Sequence, residues 1–294
     1  MPRSRCPVRA DATDADYPLD TICALFDVSR SGYYTWLKRK PSKREQEEPR
    51  LVAEIKASHR RNLETYGPER LQDDLADHGI AVGVHRIKRI RKDHGIRCKQ
   101  QKRYKATTNS RHDLPVAANL LDQKFATTAP NQMWVTDITY IPTGEGWLYL
   151  AAHKDLFNGE IVGYAMGERM TRNLVSQSLF RAVAAKRPAP GLLHHSDRGG
   201  QYCSEEYRGF LSQFGMKVSM SRTGNCYDNA PMESFWGTLK TELVHHRRFA
   251  TRQEAMQSIR EYIEIFYNRQ RKQSRLGYLS PAAYERRFYL NQAA

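Results

Sequence analysis

MWVTDITYIP, residues 133–142, decides how this chain of 294 residues folds. Its β-branched and aromatic side chains read as a strand, yet Asp137 stands in the middle of it. Aspartate is depleted from strands, and a carboxylate buried there without a partner is costly, so an Arg, a set of backbone donors or a metal ion must compensate it. Working outward, TGEG turns the chain and WLYLAAHKDLF, residues 147–157, reads as the hairpin partner. Asn158 and Gly159 turn again into a third strand, IVGYAMGERM, residues 161–170. A helix over 172–186 follows, then a short buried strand, LLHHSD, residues 192–197, before Gly199 and Gly200. A helix over 204–214, the strand KVSMSR at 217–222 and a last helix from near Ala230 complete the order βββαβαβα. That order predicts an α/β, ribonuclease-H-like domain, in which the first and fourth strands lie side by side and the last helix packs across them. A long helix over 252–268 and SPAAYERRF at 280–288 would pack outside it.

The last helix lies in GNCYDNAPMESFWGTLKTEL, residues 224–243. Gly224 and Asn225 read as a turn, Asp228 or Asn229 can cap the helix, and Pro231 suits its first turn. Met232, Phe235, Leu239 and Leu243 recur at three-and-four spacing and predict a buried stripe. Glu233, Gly237 and Lys240 fall on a neighbouring face, so Glu233 and Lys240 are expected to look out of the same side.

Asp137, Asp197 at the end of a strand, and Glu233 are therefore expected to meet. Three converging acids need cations, and oxygen-only ligands with no cysteine nearby favour Mg²⁺ or Mn²⁺. Two such ions per site would clamp the attacking and leaving oxygens of an in-line phosphoryl displacement. His195, Ser196 and Asp197 are the residue types of a hydrolase triad, but strand neighbours point to opposite faces and cannot relay a proton among themselves. The same divergence argues against a transition-metal site on His194 and His195, and leaves open a hydrogen-bonding or proton-transfer role for one of them.

The formal charge of +15 and a pI near 9.7 point to a polyanionic partner, nucleic acid first. Residues 1–110 hold 24 Lys and Arg against 15 Asp and Glu. No stretch is apolar enough to span a bilayer, and the N-terminus has no apolar signal core, so a cytoplasmic protein with no membrane partner is expected, and a polyanionic DNA partner would place it at the nucleoid. Five widely spaced cysteines without a CxxC argue against a zinc site and a disulfide framework.

Residues 1–17 are left unassigned. Residues 18–40 predict two short helices about a turn at Asp27 and Val28, with Ser29 as the second cap, a helix-turn-helix-like segment. PSKREQEEPR, residues 41–50, holds no apolar side chain but its two prolines and reads as a linker. Residues 51–106 predict a helical domain with a second helix-turn-helix. In its last helix Val84, Ile87 and Ile90 form a core edge while Arg86, Lys88, Arg89, Arg91 and Lys92 project outward as DNA contacts. The basic run continues through Lys102, Arg103 and Lys105, giving ten Lys and Arg against one acid over residues 84–105, a density suited to phosphates rather than base edges. Residues 107–127 connect this region to the α/β domain, residues 128–290.

WVTDITYI, HSDRGGQY and GNCYDNAPMESFWGTLK together resemble the three catalytic blocks of DDE transposases of the IS3 family, related to retroviral integrases. The acids stand sixty and thirty-six positions apart, the spacing typical of that group, and Lys240 matches its basic residue seven after the glutamate. SRSGYYTWLKR and YGPERLQDDLADHGIAVGVHRIKRIRKDHGI resemble the opening and the helix-turn-helix of the family's second reading frame. The resemblance implies a bacterial transposase that nicks insertion-sequence ends and joins the freed 3′-OH to another phosphodiester. Asp137, Asp197 and Glu233 would hold the metal ions and Lys240 would contact terminal DNA. It implies as partners the terminal inverted repeats, target DNA, further copies of the chain, and the upstream reading frame's product or a fusion to it. Two other readings share these residues: a DNA-binding regulator with an inert integrase-like domain, and a metal nuclease that only hydrolyses.

Overall fold

The computed structural model describes residues 18–99, 116–222 and 225–293. The expectations placed on residues 1–17, on Lys102, Arg103 and Lys105, on the first part of the connector and on Gly224 fall outside them. The chain divides into two compact units, residues 1–54 and 55–294.

In the first unit, α1 (Leu19–Leu25) and α2 (Arg30–Leu37) flank a turn in which Asp27 takes a positive φ of 51°. Ser29 caps α2 by accepting from the Gly32 N–H at 3.1 Å. The expected linker at 41–50 is instead helical: α3 runs Lys43–Arg61 straight through Pro49. The reason is a capping box, in which the Ser42 N–H donates to Glu45 Oε2 at 2.7 Å and the Glu45 N–H donates back to Ser42 Oγ at 3.3 Å. Lys, Arg, Glu and Gln are good helix formers, so a run without apolar residues need not be a linker.

In the second unit, α4 (Pro68–Asp77) and α5 (Val84–Asp93) form the second helix pair, with Leu71, Leu75, Ile87 and Ile90 fully buried. The α/β part is a five-stranded mixed sheet of β1 (Met133–Thr143), β2 (Gly146–Asp155), β3 (Ile161–Gly167), β4 (Leu193–Ser196) and β5 (Lys217–Met220), in the order β3-β2-β1-β4-β5. The two hairpin pairs are antiparallel, and β4 pairs parallel with both β1 and β5. Central β1 and β4 are joined through α6 (Arg172–Lys186), as a parallel crossover requires. On one face of the sheet, Trp134 packs with Val175 and Leu179 of α6, with Tyr202 of α7 (Gly200–Cys203), and with Tyr207 and Leu211 of α8 (Glu205–Gln213). The fold is ribonuclease-H-like, as the element order predicts.

On the other face lies α9 (Ala230–Glu242), whose Met232, Phe235 and Leu239 are buried as their spacing predicts. The expected long helix is α10 (Arg252–Glu261) running on into a π-helical segment, Tyr262–Gln270, followed by α11 (Pro281–Ala293). The π-helix fastens two parts of this unit. Arg271, just past its end, forms a bidentate ion pair with Glu242 at 2.7–3.0 Å, and the Tyr262 hydroxyl donates to the same carboxylate at 2.7 Å. Lys272 is paired with Asp73 and Asp77 of α4, and its backbone N–H donates to the Tyr66 hydroxyl at 2.8 Å. Among the described residues no helix is long and apolar enough to cross a membrane.

Candidate active site

Asp137 and Asp197 are placed by the sheet. In the parallel β1–β4 register Val135 lies beside His195, so Asp137, two residues on along β1, and Asp197, just past the end of β4, leave the sheet at the same edge, near enough for the Asp197 charge to act on Asp137. Each is held by backbone donors. Asp137 Oδ1 accepts from the Ile138 N–H at 2.8 Å, and Asp197 Oδ1 accepts from the Gly199 N–H at 2.9 Å. Glycine at 199 leaves room for that turn, since a Cβ there would meet Asp197 Oδ1 at 3.0 Å. Burial first, then the Asp197 charge, push the Asp137 carboxyl up to about 7, with a further contribution from Glu233; the Ile138 and Trp236 donors act the other way.

Glu233 stands on α9, which is bonded to β1. Trp236 donates its indole N–H to Asp137 Oδ2 at 3.0 Å. Asn229, at the foot of the helix, donates its side-chain amide to the Thr136 carbonyl at 3.1 Å. These two bonds fasten α9 to β1 on either side of Glu233. Glu233 itself is exposed, as expected, and partial burial raises its pKa. Among the described residues no three acidic, His or Cys side chains close on one point as they stand. Asp137 and Asp197 are each held by a backbone donor, whereas Glu233 is exposed. The donor set is all oxygen, and the mutual repulsion that raises Asp137 is what a divalent cation would relieve, so these residues fit magnesium or manganese.

Lys240 does not look out beside Glu233. It is buried, with its ammonium over the Tyr140 ring at 5.1 Å, and burial lowers its pKa to about 8 while the Asp137 charge acts in the opposite direction. Seven residues fall short of two full turns by about 20°, enough for Tyr140, three residues beyond Asp137 on β1, to draw the side chain inward.

Asn229 stands at the N-cap position of α9 but makes no side-chain capping bond, and Asp228 is engaged elsewhere. Asp228 is buried and accepts from the backbone N–H, Nε and Nη2 of Arg222 at 2.8–3.1 Å and from the side-chain amides of Asn119 and Gln123 at 2.9 and 3.0 Å. The Arg222 hydrogen bonds hold its carboxyl far below the usual range. An Asp-Asn pair before a helix reads first as a cap, and sequence spacing gives no hint of partners a hundred residues upstream.

The two histidines diverge, as strand geometry requires. His194 bonds the Tyr207 hydroxyl at 3.0 Å and His153 at 3.2 Å, whereas His195 bonds Ser219 at 2.8 Å and Ser221 at 3.1 Å. Burial takes His194 to about 3 and His195 to about 4, so both are neutral core residues. On α5, Lys88 and Lys92 are exposed and Arg86 and Arg89 half-buried. Lys88 is paired with Glu69 at 3.0 Å and Arg89 with Asp93 at 3.3 Å. Arg91 departs from the outward set: it turns back to Cys98 Sγ at 2.9 Å, a thiol that in turn donates to the Tyr66 carbonyl at 2.9 Å.

Sheet order, an acid on β1 with a second just past β4, and the helix bonded to β1 define an integrase-type catalytic domain following a helical N-terminal region in the chain. The integrase core domain family matches residues 127–226 and again 233–288, and an HTH-like domain matches residues 45–104. The chain is 60% identical over 268 residues to the 31 kDa protein of insertion element IS600 of Shigella sonnei, covering 91% of this chain and 98% of that protein. It is 38% identical over 273 residues to transposase InsF for insertion sequence IS3A of Escherichia coli K12, covering 92% and 95%. The HTLV-2 integrase catalytic core domain in complex with magnesium aligns at a TM-score of 0.42 and 15% identity, over 53% of this chain and 97% of that one. The chain belongs to the IS3-family insertion-sequence transposases.

Proposed function

We propose that this transposase cleaves DNA at the terminal inverted repeats of its insertion sequence and joins the freed 3′-OH to target DNA, with Asp137, Asp197 and Glu233 as the catalytic, metal-holding set. The observation that carries the reading is the Trp236–Asp137 hydrogen bond, which ties the helix of Glu233 to the strand of Asp137, a carboxyl on which the Asp197 charge acts. When bound, two magnesium or manganese ions would supply Lewis-acid stabilisation of the attacking and leaving oxygens. The chain's own residues do the rest. Ile138, Trp236 and Gly199 aim the two fixed carboxylates, and exposed Glu233 is free to close on them. Lys88 and Lys92 with Arg86 and Arg89 on α5 serve phosphate contacts, and Lys240 holds positive charge beneath the site. Assembly of further copies on DNA, with the upstream reading frame's product or fused to it, belongs to the same reading, as does residence at the bacterial nucleoid.

The test is strand transfer by the purified chain with Mg²⁺ or Mn²⁺ on labelled DNA bearing the element's own ends, with Glu233→Gln alongside. Joined products that vanish in the variant are expected. Joining retained by Glu233→Gln overturns the assignment of the acids. Hydrolysis without joining, repeated with the upstream frame fused, would make the chain a nuclease, and binding without chemistry a regulator.

A further inference from the structure

Beside Glu233 the surface of α9 opens into a groove of about 270 Å³, where Gly237 and Thr241 also line the wall. Ser234 and Thr238 line both this groove and a second pocket of about 230 Å³. Into the second pocket come four cations from three parts of the chain: Arg70 of α4, Lys154 of β2, and Arg271 and Arg275 beyond the π-helix. Among the described residues no acid lines it. The nearby Glu242 is taken up by Arg271.

Like charges gathered this closely repel one another. Lys154 is buried, and its ammonium makes one hydrogen bond, to the Pro231 carbonyl at 2.8 Å, leaving donors to spare. Burial, then the Arg275 and Arg271 charges, bring Lys154 down to about 7, and burial lowers Arg70 as well. Gln273 adds a neutral donor. It is 8% exposed, and its amide nitrogen has no acceptor at bonding distance. Buried donors without partners are rare because each loses the hydration it had in the unfolded chain. Arg70, Lys154 and Arg275, beside an Arg271 already paired with Glu242, line this pocket with an unused amide donor and with Ser234 and Thr238, which it shares with the groove beside Glu233, and that lining suits a tetrahedral oxyanion.

We infer that this pocket is a phosphate site, holding a backbone phosphodiester of the DNA strand whose neighbouring phosphate is presented to Glu233. The inference rests on the strand-transfer reading above. It makes Arg70 and Arg275 positioning residues: a strand anchored there and running along the Ser234–Thr238 edge enters the site in a fixed register. Because Arg70 comes from α4 and Lys154 from the sheet, the anchor is complete only when the helical region and the α/β part are docked.

The experiment is DNA binding by the full chain, followed by fluorescence anisotropy on the element's end duplex over a range of salt, for wild type, Arg275→Gln, and Arg70→Gln with Arg275→Gln. Arg275 is exposed, so its variant tests the site without disturbing the core. The slope of log affinity against log salt should fall by about one for each cation removed, with circular dichroism unchanged. A wild-type slope in the double variant overturns the pocket and leaves the transposase reading standing, whereas wild type that binds no DNA sinks both. Inorganic phosphate serves as the second probe. If it raises the wild-type melting temperature, fails to do so in the double variant, and the DNA slopes are equal, the pocket takes free phosphate and the DNA assignment is overturned.

Discussion

Trp236 donates to Asp137 from a position one helical turn past Glu233, so a single hydrogen bond both aims one carboxylate and sets the depth at which the other is presented. Trp236→Phe keeps most of the buried ring and removes the donor. Loss of an orienting partner of this kind typically costs 10- to 100-fold in metal affinity or activity. That loss is the expected outcome in Mn²⁺ titration of the purified protein, with the melting temperature little changed. Wild-type Mn²⁺ affinity in the variant would show that packing alone aims Asp137.

The Asp137 carboxyl rises from 3.8 to about 7 on folding, so across that window the native state binds more protons than the unfolded chain. In the metal-free protein this residue therefore costs stability as pH climbs through the window, and the whole cost is present above pH 7. Asp137→Asn, measured in EDTA, should melt above wild type at pH 8, by the equivalent of a few kcal/mol, and level with it near pH 3.5. Mg²⁺ should raise the wild-type melting temperature more at pH 8 than at pH 6. Equal melting of variant and wild type at pH 8 would mean that the acid pair is not under strain.

Glu242 closes α9 onto Arg271 where water cannot replace a lost partner. Glu242→Gln leaves a buried guanidinium half-satisfied, and breaking a buried pair from one side costs about 3–5 kcal/mol. Urea unfolding should report a loss of that size, and a loss under about 1 kcal/mol would show that the π-helix docks without the pair.

Much of this architecture is legible in the sequence because it is local. The β1–β2 hairpin follows from β-branched and aromatic runs about a turn, α6 runs over the expected 172–186, and the side-by-side placing of β1 and β4 follows from strand order. What escapes a reading of the sequence depends on partners brought from elsewhere. Lys240 looks like a surface cation until Tyr140 is placed above it, and Asp228 looks like a cap until Arg222, Asn119 and Gln123 converge on it. The helix through residues 43–50 is different: its capping box was written in Ser42 and Glu45, and two prolines with no other apolar side chain masked it.

Asp228 gives a prediction of opposite sign to Asp137. Its folded pKa is depressed, so its contribution to stability is full above the ordinary 3.8 and is lost as pH falls below it. Asp228→Asn keeps the shape and removes the charge that holds Arg222. Hydrogen exchange at the Cys226–Asn229 turn should speed up in the variant at neutral pH, and wild type should approach it as the pH is lowered below 3.8. Unchanged exchange at neutral pH would leave the clamp without a role in holding the foot of the Glu233 helix.

Lys240 separates a charge role from a packing role through its pKa of about 8, well below the usual 10.5. If its ammonium is needed at the site, end joining should fall as pH rises through 8 in wild type. Lys240→Arg keeps a cation at every working pH and should carry the activity to higher pH, at some cost where the larger head meets Tyr140. Lys240→Met keeps the buried stem and loses the charge, so it should be depressed throughout and lack the alkaline limb. Should Lys240→Met instead reproduce the wild-type profile, the side chain would be filling space under Tyr140, and the positive charge for the DNA end would have to come from the α5 face or from the pocket of Arg70 and Arg275.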